Sequence, residues 1–400
     1  MEAAGRLPAD VYARIDARLA EADARVAAQY PGEPAGRQPV HTVYVPAHRY
    51  HVGLVAEWQE QALAVLAEHG DALGAEPDVL ERVRAKLAEQ PIEDLRIDFE
   101  DGYGHPGDDA EDADAVRAAR ELGCATPFVG IRFKSFEALT RHRGIRTLDL
   151  FLGALGDPPP GFVVTLPKVT AIEQVSAAAE VLGELEKAHG LASGSLQFEV
   201  QIETAQSVLA ADGTVALPRI VRAADGRCSG LHFGTYDYSA ALGISGAYQS
   251  MDHPAADFAK QFMQLATAGT GVRLSDGSTN RLPVGDADAV RGAWAEHLRL
   301  VRRSLERGFY QGWDLHPHQL PSRFAATYAF FRDGLPAAAG RLRDYVRRTE
   351  GGVLDEPATA SALATYLLRG LDCGAVDHAE VATLTGLDRA ALDRLARRLP

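Results

Sequence analysis

SLQFEVQIE, at residues 195–203, is a short run of apolar and β-branched residues, and a second such run, SGLHFGTYD, occupies residues 229–237. Runs of this kind are typical of buried β-strands. Six more recur along the chain with longer helical patterns between them: HTVYVPA (41–47), DLRIDFE (94–100), TPFVGIRF (126–133), GFVVTLPKV (161–169), GVRLSD (271–276) and QGWDLHP (311–317). The sequence therefore predicts eight strands.

The segments between these runs have apolar residues at helical spacing and often end in glycine, as in IEQVSAAAEVLGELEKAHG at residues 172–190. Near-continuous apolar strands that alternate with helices are expected in a parallel sheet covered by helices. Eight repeats favour a closed barrel, and neither GxGxxG nor GxxxxGK[ST] follows any strand to favour a nucleotide-binding sheet. We therefore expect an α/β fold, a (β/α)₈ TIM barrel.

Two additions flank the expected barrel. Residues 1–40 read as an N-terminal helix and linker, residues 41–320 as the barrel domain, and residues 321–400 as a helical C-terminal extension. The N-terminus lacks an apolar signal-peptide core and no run is long enough to span a membrane, which predicts a cytoplasmic protein. Three widely spaced cysteines, Cys124, Cys228 and Cys373, suit a reducing compartment.

The chain carries a formal net charge of −14, which would repel nucleic acids and anionic membranes over most directions of approach. We therefore expect neither as a partner. A small anionic substrate is compatible with this charge, because a local cluster of cations can override the overall field at short range.

Polar residues follow nearly every predicted strand. Because active sites of such barrels lie at the carboxyl ends of the strands, these residues are candidates for chemistry. They are His48, Arg49, His51, Asp98, Glu100, Asp101, Arg132, Lys134, Lys168, Glu203, Asp237, His316 and His318. Singly, each is explained by solvation or a rim ion pair. Together on one rim, the crowded carboxylates need a cation.

Glu203 and Asp237 follow consecutive predicted strands, which would lie about 4.8 Å apart, so both carboxylates could reach one ion. Mg²⁺ typically takes one or two protein carboxylates and fills its other positions with water and substrate. The alternative is that Glu203 pairs with a rim lysine and Asp237 caps the following helix.

The series VPAHR, IDFED, GIRF, LPKV, QIET, FGTYDYSAALG and LHPHQ resembles the citrate lyase beta-subunit and malyl-CoA lyase family. That family is grouped with the HpcH/HpaI aldolases in the phosphoenolpyruvate/pyruvate barrel superfamily. The resemblance covers roughly residues 42–320, in family order. It implies a carbon–carbon lyase that depends on Mg²⁺ or Mn²⁺ and acts on a small hydroxy or oxo acid, or on its CoA thioester.

The resemblance also implies roles for individual residues. Glu203 and Asp237 match metal ligands, and Arg132 matches the arginine that holds the substrate carboxylate or carbonyl. Lys168 matches the lysine of the LPKV strand. The acidic triplet that orients metal-bound water is matched by Asp98, Glu100 and Asp101.

These roles agree with the chemistry of cleavage beside a carbonyl. A chelated cation stabilises the negative charge that develops on the carbonyl oxygen, and an arginine fork orients a carboxylate. The base that deprotonates the cleaved hydroxyl would be a metal-bound water, His48 or His51. The sequence does not rank them.

Three activities remain open at this point. The first is the lyase, the second is a malate-synthase-like condensation of an acyl-CoA with an oxo acid, and the third is a non-catalytic barrel that binds a metabolite. About forty residues separate the first two predicted strands, and this insertion and both terminal additions depart from the family pattern. The C-terminal helices of relatives can cover a neighbouring subunit's site, so the resemblance also implies a homo-oligomer.

Overall fold

The computed structural model describes residues 7–34, 36–123, 126–347 and 356–398. Cys124 lies outside these residues. So do residues 348–355 of the predicted helical extension, and the two ends of the chain. Eight strands form one sheet: β1 (His41–Pro46), β2 (Asp94–Asp98), β3 (Phe128–Arg132), β4 (Phe162–Leu166), β5 (Gln197–Ile202), β6 (Cys228–Phe233), β7 (Arg273–Ser275) and β8 (Gly312–Asp314).

All seven strand pairings are parallel, in the order β7-β6-β5-β4-β3-β2-β1-β8. A single parallel bridge between Ser275 and Gln311 joins the two outer strands, so the sheet curls into a nearly closed barrel. The predicted fold class is confirmed, and each predicted run contains one strand, generally shorter than the run. Most strand residues are buried on both faces, as a helix-covered parallel sheet requires.

Fifteen α-helices lie in the described residues: α1 (Ala9–Gln29), α2 (Leu54–His69), α3 (Pro77–Glu89), α4 (Asp108–Arg120), α5 (Arg141–Leu155), α6 (Ile172–His189), α7 (Ala205–Val208), α8 (Leu217–Ala223), α9 (Thr235–Ala241), α10 (Pro254–Thr267), α11 (Ala287–Glu306), α12 (Leu320–Arg347), α13 (Pro357–Cys373), α14 (His378–Thr385) and α15 (Arg389–Ala396). No described helix is both long enough and apolar enough to cross a membrane.

The helices around the barrel bury one apolar stripe each. In α6 the buried residues Val175, Ala178, Leu182 and Leu185 recur at intervals of three or four, which is the period of one helix face. The insertion between β1 and β2 forms α2 and α3. Both pack against the C-terminal helix α12, so the insertion and the extension contact each other.

The C-terminal helices α12 to α15 share a second apolar cluster beside the barrel core, formed around Leu335, Leu342, Leu367 and Val381. The helix α12 runs unbroken past Pro336, although a proline inside a helix removes one backbone hydrogen bond. At the other end of the chain, α1 buries none of its residues.

Candidate active site

The carboxyl ends of the strands surround a cavity of about 370 Å³. Six of the residues singled out from the sequence line it: Arg49, Asp98, Asp101, Arg132, Glu203 and Asp237. Asp98 and Arg132 are the last residues of β2 and β3, and Glu203 directly follows β5. The barrel therefore collects side chains that are far apart in sequence.

Asp237 does not end a strand, contrary to the expectation from the run SGLHFGTYD. The strand β6 ends at Phe233, and Asp237 lies in the first turn of α9. A carboxylate in the first helical turn is favoured by the exposed N–H groups there. Asp237 still reaches the cavity, because α9 starts at the barrel rim.

Glu203 is buried, with 2% of its surface exposed. Its Oε1 accepts a hydrogen bond from the backbone N–H of Lys168, at 2.7 Å. In the described part of the chain, no basic side chain lies within ion-pair distance of this carboxylate. Burial raises the pKa of Glu203 to about 7. The more distant Lys168 ammonium lowers this pKa, and the Asp237 carboxylate raises it further.

Lys168 lies among the other carboxylates of the site. Its Nζ is 3.3 Å from Glu100 Oε1, 3.0 Å from Asp101 Oδ2 and 3.2 Å from Asp237 Oδ2. Burial alone would lower the pKa of this amine, but Glu203 and these three carboxylates raise it above its ordinary value. The Lys168 backbone has a φ of 51°, a left-handed conformation that is uncommon for a residue with a side chain and is often found at functional sites.

Arg132 is held in one orientation by a bidentate ion pair. Its Nε and Nη2 donate to the two oxygens of Asp98, at 2.7 and 2.8 Å. The face of the guanidinium lies over the Tyr44 ring, 4.8 Å from the ring centre, and Nη1 is 3.6 Å from Glu100. A planar fork fixed on two sides is pre-organised for binding an anion.

Glu100 and Asp101 differ in protonation although they are adjacent. Burial raises the pKa of Glu100 to about 8, partly offset by Arg132 and reinforced by Asp101. Burial acts in the same direction on Asp101, but hydrogen bonds with Glu100 and Lys168 lower the pKa of this carboxyl below its ordinary value. Near neutral pH the pair therefore holds one proton, mostly on Glu100.

The two histidines proposed as bases are not brought to the cavity. His48 is on an exposed turn after β1, and its ring packs on Tyr103 with the centres 5.6 Å apart. His51 is also exposed and lies 3.2 Å from Glu57. Arg49, between them, does line the cavity.

Several lining residues have no counterpart among the sequence candidates. Tyr44 of β1 and Trp313 of β8 line the cavity with their rings 4.7 Å apart, and Pro46 and Leu315 lie beside them. The sequence candidates are polar residues that follow strands, and Tyr44 and Trp313 are aromatic residues within strands. The only sequence signal was their place in predicted strands. The lining of the cavity thus combines acidic, basic, and apolar or aromatic residues.

A comparison with protein families matches residues 19–399 of this chain to a family described as a domain of unknown function, DUF6986. The chain belongs to this family. The L-malyl-CoA/beta-methylmalyl-CoA lyase of Haloarcula marismortui is 30% identical over 184 residues, which are 46% of this chain and 50% of that protein. The chain therefore matches about half the length of this curated relative.

Solved structures share the fold. A citrate lyase from Burkholderia xenovorans has a TM-score of 0.60 at 19% identity, covering 88% of this chain and 98% of its own. A Haloferax volcanii malate synthase in a magnesium and glyoxylate complex has a TM-score of 0.53 at 15% identity, covering 91% of this chain and 99% of its own. The CitE protein of Mycobacterium tuberculosis, in complex with magnesium, acetoacetate and coenzyme A, has a TM-score of 0.53 at 18% identity, covering 84% of this chain and 98% of its own. The resemblance to citrate lyase beta-subunit and malyl-CoA lyase proteins is confirmed.

Two acidic residues that line the cavity in this DUF6986 chain fit a divalent cation. Glu203 is a buried carboxylate without a basic side-chain partner in the described residues, and Asp237 lines the same cavity. No described group of three or more His, Cys, Asp or Glu side chains is arranged to hold a metal ion. Mg²⁺ commonly uses only one or two protein carboxylates, so this pair is a sufficient protein contribution.

Proposed function

We propose that this protein is a carbon–carbon lyase that cleaves a small hydroxy or oxo acid, or its CoA thioester, beside a carbonyl group. We further propose that Glu203 and Asp237 hold the Mg²⁺ or Mn²⁺ ion on which the reaction depends. The observation that carries this proposal is the buried Glu203 carboxylate, which lines the cavity and has no basic side chain of the described residues within ion-pair distance. The named lyase of Haloarcula marismortui supports the reaction class.

A divalent cation at this position would polarise the substrate's carbonyl oxygen and stabilise the charge that develops there during cleavage. The Arg132 guanidinium, fixed by Asp98, binds and orients the carboxylate of the substrate. Its rigidity matters because reacting groups must be aligned before the carbon–carbon bond breaks. The Lys168 ammonium keeps the neighbouring carboxylates at the rim in place.

We assign the proton transfers to the Glu100 and Asp101 pair. Asp101 lines the cavity and is ionised near neutral pH, so its carboxylate can accept the proton of the hydroxyl group being cleaved. Glu100 holds the proton that must reach the enolate carbon after cleavage, so the pair takes up one proton, gives up one, and ends with as many as it began with. His48 remains a weaker candidate, since it does not line the cavity.

The apolar and aromatic residues of the lining accommodate the carbon part of the substrate; they are Tyr44, Pro46, Trp313 and Leu315. Their rings and aliphatic carbons offer no charged partner to a substrate. This favours a substrate whose atoms in contact with these four residues are uncharged. A thioester is compatible with this arrangement, because its sulfur carries no charge.

Metal-dependent turnover tests the proposal. The purified protein, stripped of metal, is incubated with a panel of hydroxy acids, hydroxy-oxo acids and their CoA thioesters, with and without Mg²⁺ or Mn²⁺. We expect cleavage of at least one compound only with metal, and at least about a hundredfold loss of kcat in Glu203→Gln.

Glu60→Gln, an exposed carboxylate on α2, is the matched control and should retain full activity. Cleavage that persists after complete chelation, or that survives in Glu203→Gln, would overturn the proposed mechanism. Acetyl-CoA and glyoxylate belong in the same panel, because a condensed product without any cleavage would assign the protein to the synthase class instead.

A further inference from the structure

The helix α1 exposes an apolar stripe that no other part of the described structure covers. Its members Tyr12, Ile15, Leu19 and Val26 are 57%, 48%, 46% and 57% exposed, and no residue of the helix is buried. Helices in proteins gain most of their stability by packing an amphipathic face against a partner. A 21-residue helix without such packing therefore implies a partner.

The spacing of this stripe is that of a coiled coil. Tyr12, Leu19 and Val26 are seven residues apart and occupy the a positions of three heptads, and Ile15 and Ala22 occupy d positions. Alternate steps of three and four residues keep an apolar seam facing one neighbouring helix along its whole length. The partner surface is therefore another helix.

The charges beside the seam indicate which helix this is. The e positions are Asp16 and Asp23, and the g positions of the same heptads are Arg18 and Arg25. In a parallel pair of identical helices, each g residue faces the e residue of the next heptad on the partner, so Arg18 would meet Asp23. In an antiparallel pair, g faces g and e faces e, and like charges would repel.

The charges required for this pairing are free within one copy. Arg14 pairs with Asp10 and Arg25 with Glu21 inside α1, at 3.1 and 2.7 Å. Arg18 and Asp23 have no ion-pair partner in the described part of the chain. A symmetric pair of helices would give each of them one, making two Arg18–Asp23 contacts across the seam.

We propose that α1 forms a parallel, in-register, two-stranded coiled coil with α1 of a second copy of this chain. The linker after α1 attaches at the amino-terminal side of the barrel, where Gly32 donates to Gly269 at 2.9 Å and Gln38 donates to Leu274 at 3.0 Å. The candidate active site is at the opposite ends of the strands. Pairing through α1 therefore leaves the cavity open. This inference does not depend on the function proposed for the cavity.

Disulfide trapping in the full-length chain tests the geometry. Ala22→Cys introduces a thiol at a d position in the seam, and Ala24→Cys introduces the same thiol at an f position on the opposite face. In a parallel, in-register pair the two thiols introduced at position 22 face each other at disulfide distance, whereas in an antiparallel pair each a position faces a d position and the two thiols are offset along the helix axis. Under mild oxidation, Ala22→Cys should form a covalent dimer, and Ala24→Cys and the unsubstituted chain should not. Equal cross-linking of the two variants, or none in Ala22→Cys, would overturn the proposal, the latter pointing to a different occupant.

Charge reversal tests the orientation independently. Arg18→Asp or Asp23→Arg alone places like charges across the seam, so sedimentation equilibrium should show self-association through α1 weakened by about tenfold. An equimolar mixture of these two variants, and the double variant, should regain the original affinity because every g–e contact again joins opposite charges. Equal affinity for all these samples would contradict the proposed pairing.

Discussion

Glu203 is the residue on which the account of the site depends. Most buried charges in this protein have partners, such as Arg132 with Asp98 and Lys134 with Glu111. Glu203 instead accepts one backbone hydrogen bond and lines a cavity. An ionised carboxylate held this way is unfavourable unless it binds a proton or a cation. Stability and metal binding are therefore linked at this one side chain.

The pH dependence of stability should report this linkage. The pKa of Glu203 is raised to about 7 in the folded protein. At a pH between its ordinary pKa and this value, the folded protein therefore retains a proton on Glu203 that the unfolded chain has released. Between pH 4.5 and 7, metal-free wild type should therefore lose on the order of 3 kcal/mol of unfolding free energy relative to Glu203→Gln.

Urea denaturation of both proteins at several pH values measures this difference. Added Mg²⁺ should restore the stability of wild type above pH 7 and leave Glu203→Gln unchanged. A difference between the two proteins that stays constant across this pH range would show that Glu203 is not the titrating group.

At the scale of elements, the sequence predicts the strands well and the junctions less well. All eight strands were predictable because a barrel strand is buried on both faces and reads as an apolar run. The junctions depend on where the backbone turns, which side-chain periodicity does not specify. Asp237 thus lies on α9, and the turn Ala47–Arg49 leaves His48 exposed. Tyr44 and Trp313 were missed because their strands show only burial, not which side chains face a cavity.

The junction between β6 and α9 makes a second prediction, at Gly234. A Cβ on this residue would lie 2.4 Å from the Cβ of Glu203 and 2.6 Å from its Oε2. Gly234→Ala should therefore displace the Glu203 carboxylate and weaken Mn²⁺ binding, measured by calorimetry, by about tenfold or more. Gly246→Ala is the control, since its Cβ would meet nothing within 4 Å. Equal Mn²⁺ affinity in both variants would mean that Glu203 can bind metal from a shifted position.

At the scale of the whole molecule, one buried carboxylate joins the barrel to the C-terminal helices. Asp314 of β8 is fully buried, accepts two hydrogen bonds from Arg323 of α12 at 2.9 and 3.0 Å, and lies 2.7 Å from His41 of β1. Asp314 therefore connects β1, β8 and α12. The extension is attached by specific polar contacts as well as by its apolar cluster.

Removing this connection should destabilise the protein strongly. Asp314→Ala leaves the Arg323 guanidinium buried without its partner, so we expect a loss of about 3–5 kcal/mol in guanidinium denaturation. Asp333→Ala removes an exposed partner of Arg302, an ion pair of 2.8 Å on the surface of α12, and should cost about 1 kcal/mol or less. Similar losses in both variants would contradict the assigned role of Asp314.

A crystal grown with Mn²⁺ and oxalate tests the central claim most directly, because the anomalous signal of manganese locates the ion independently of any assumption. We expect one peak in the cavity, with an oxygen of Glu203 and one of Asp237 each about 2.1 Å away and oxalate completing the coordination. A saturated crystal without a peak there, with Asp237 still bound to Lys168 and Glu203 facing only protein, would contradict it.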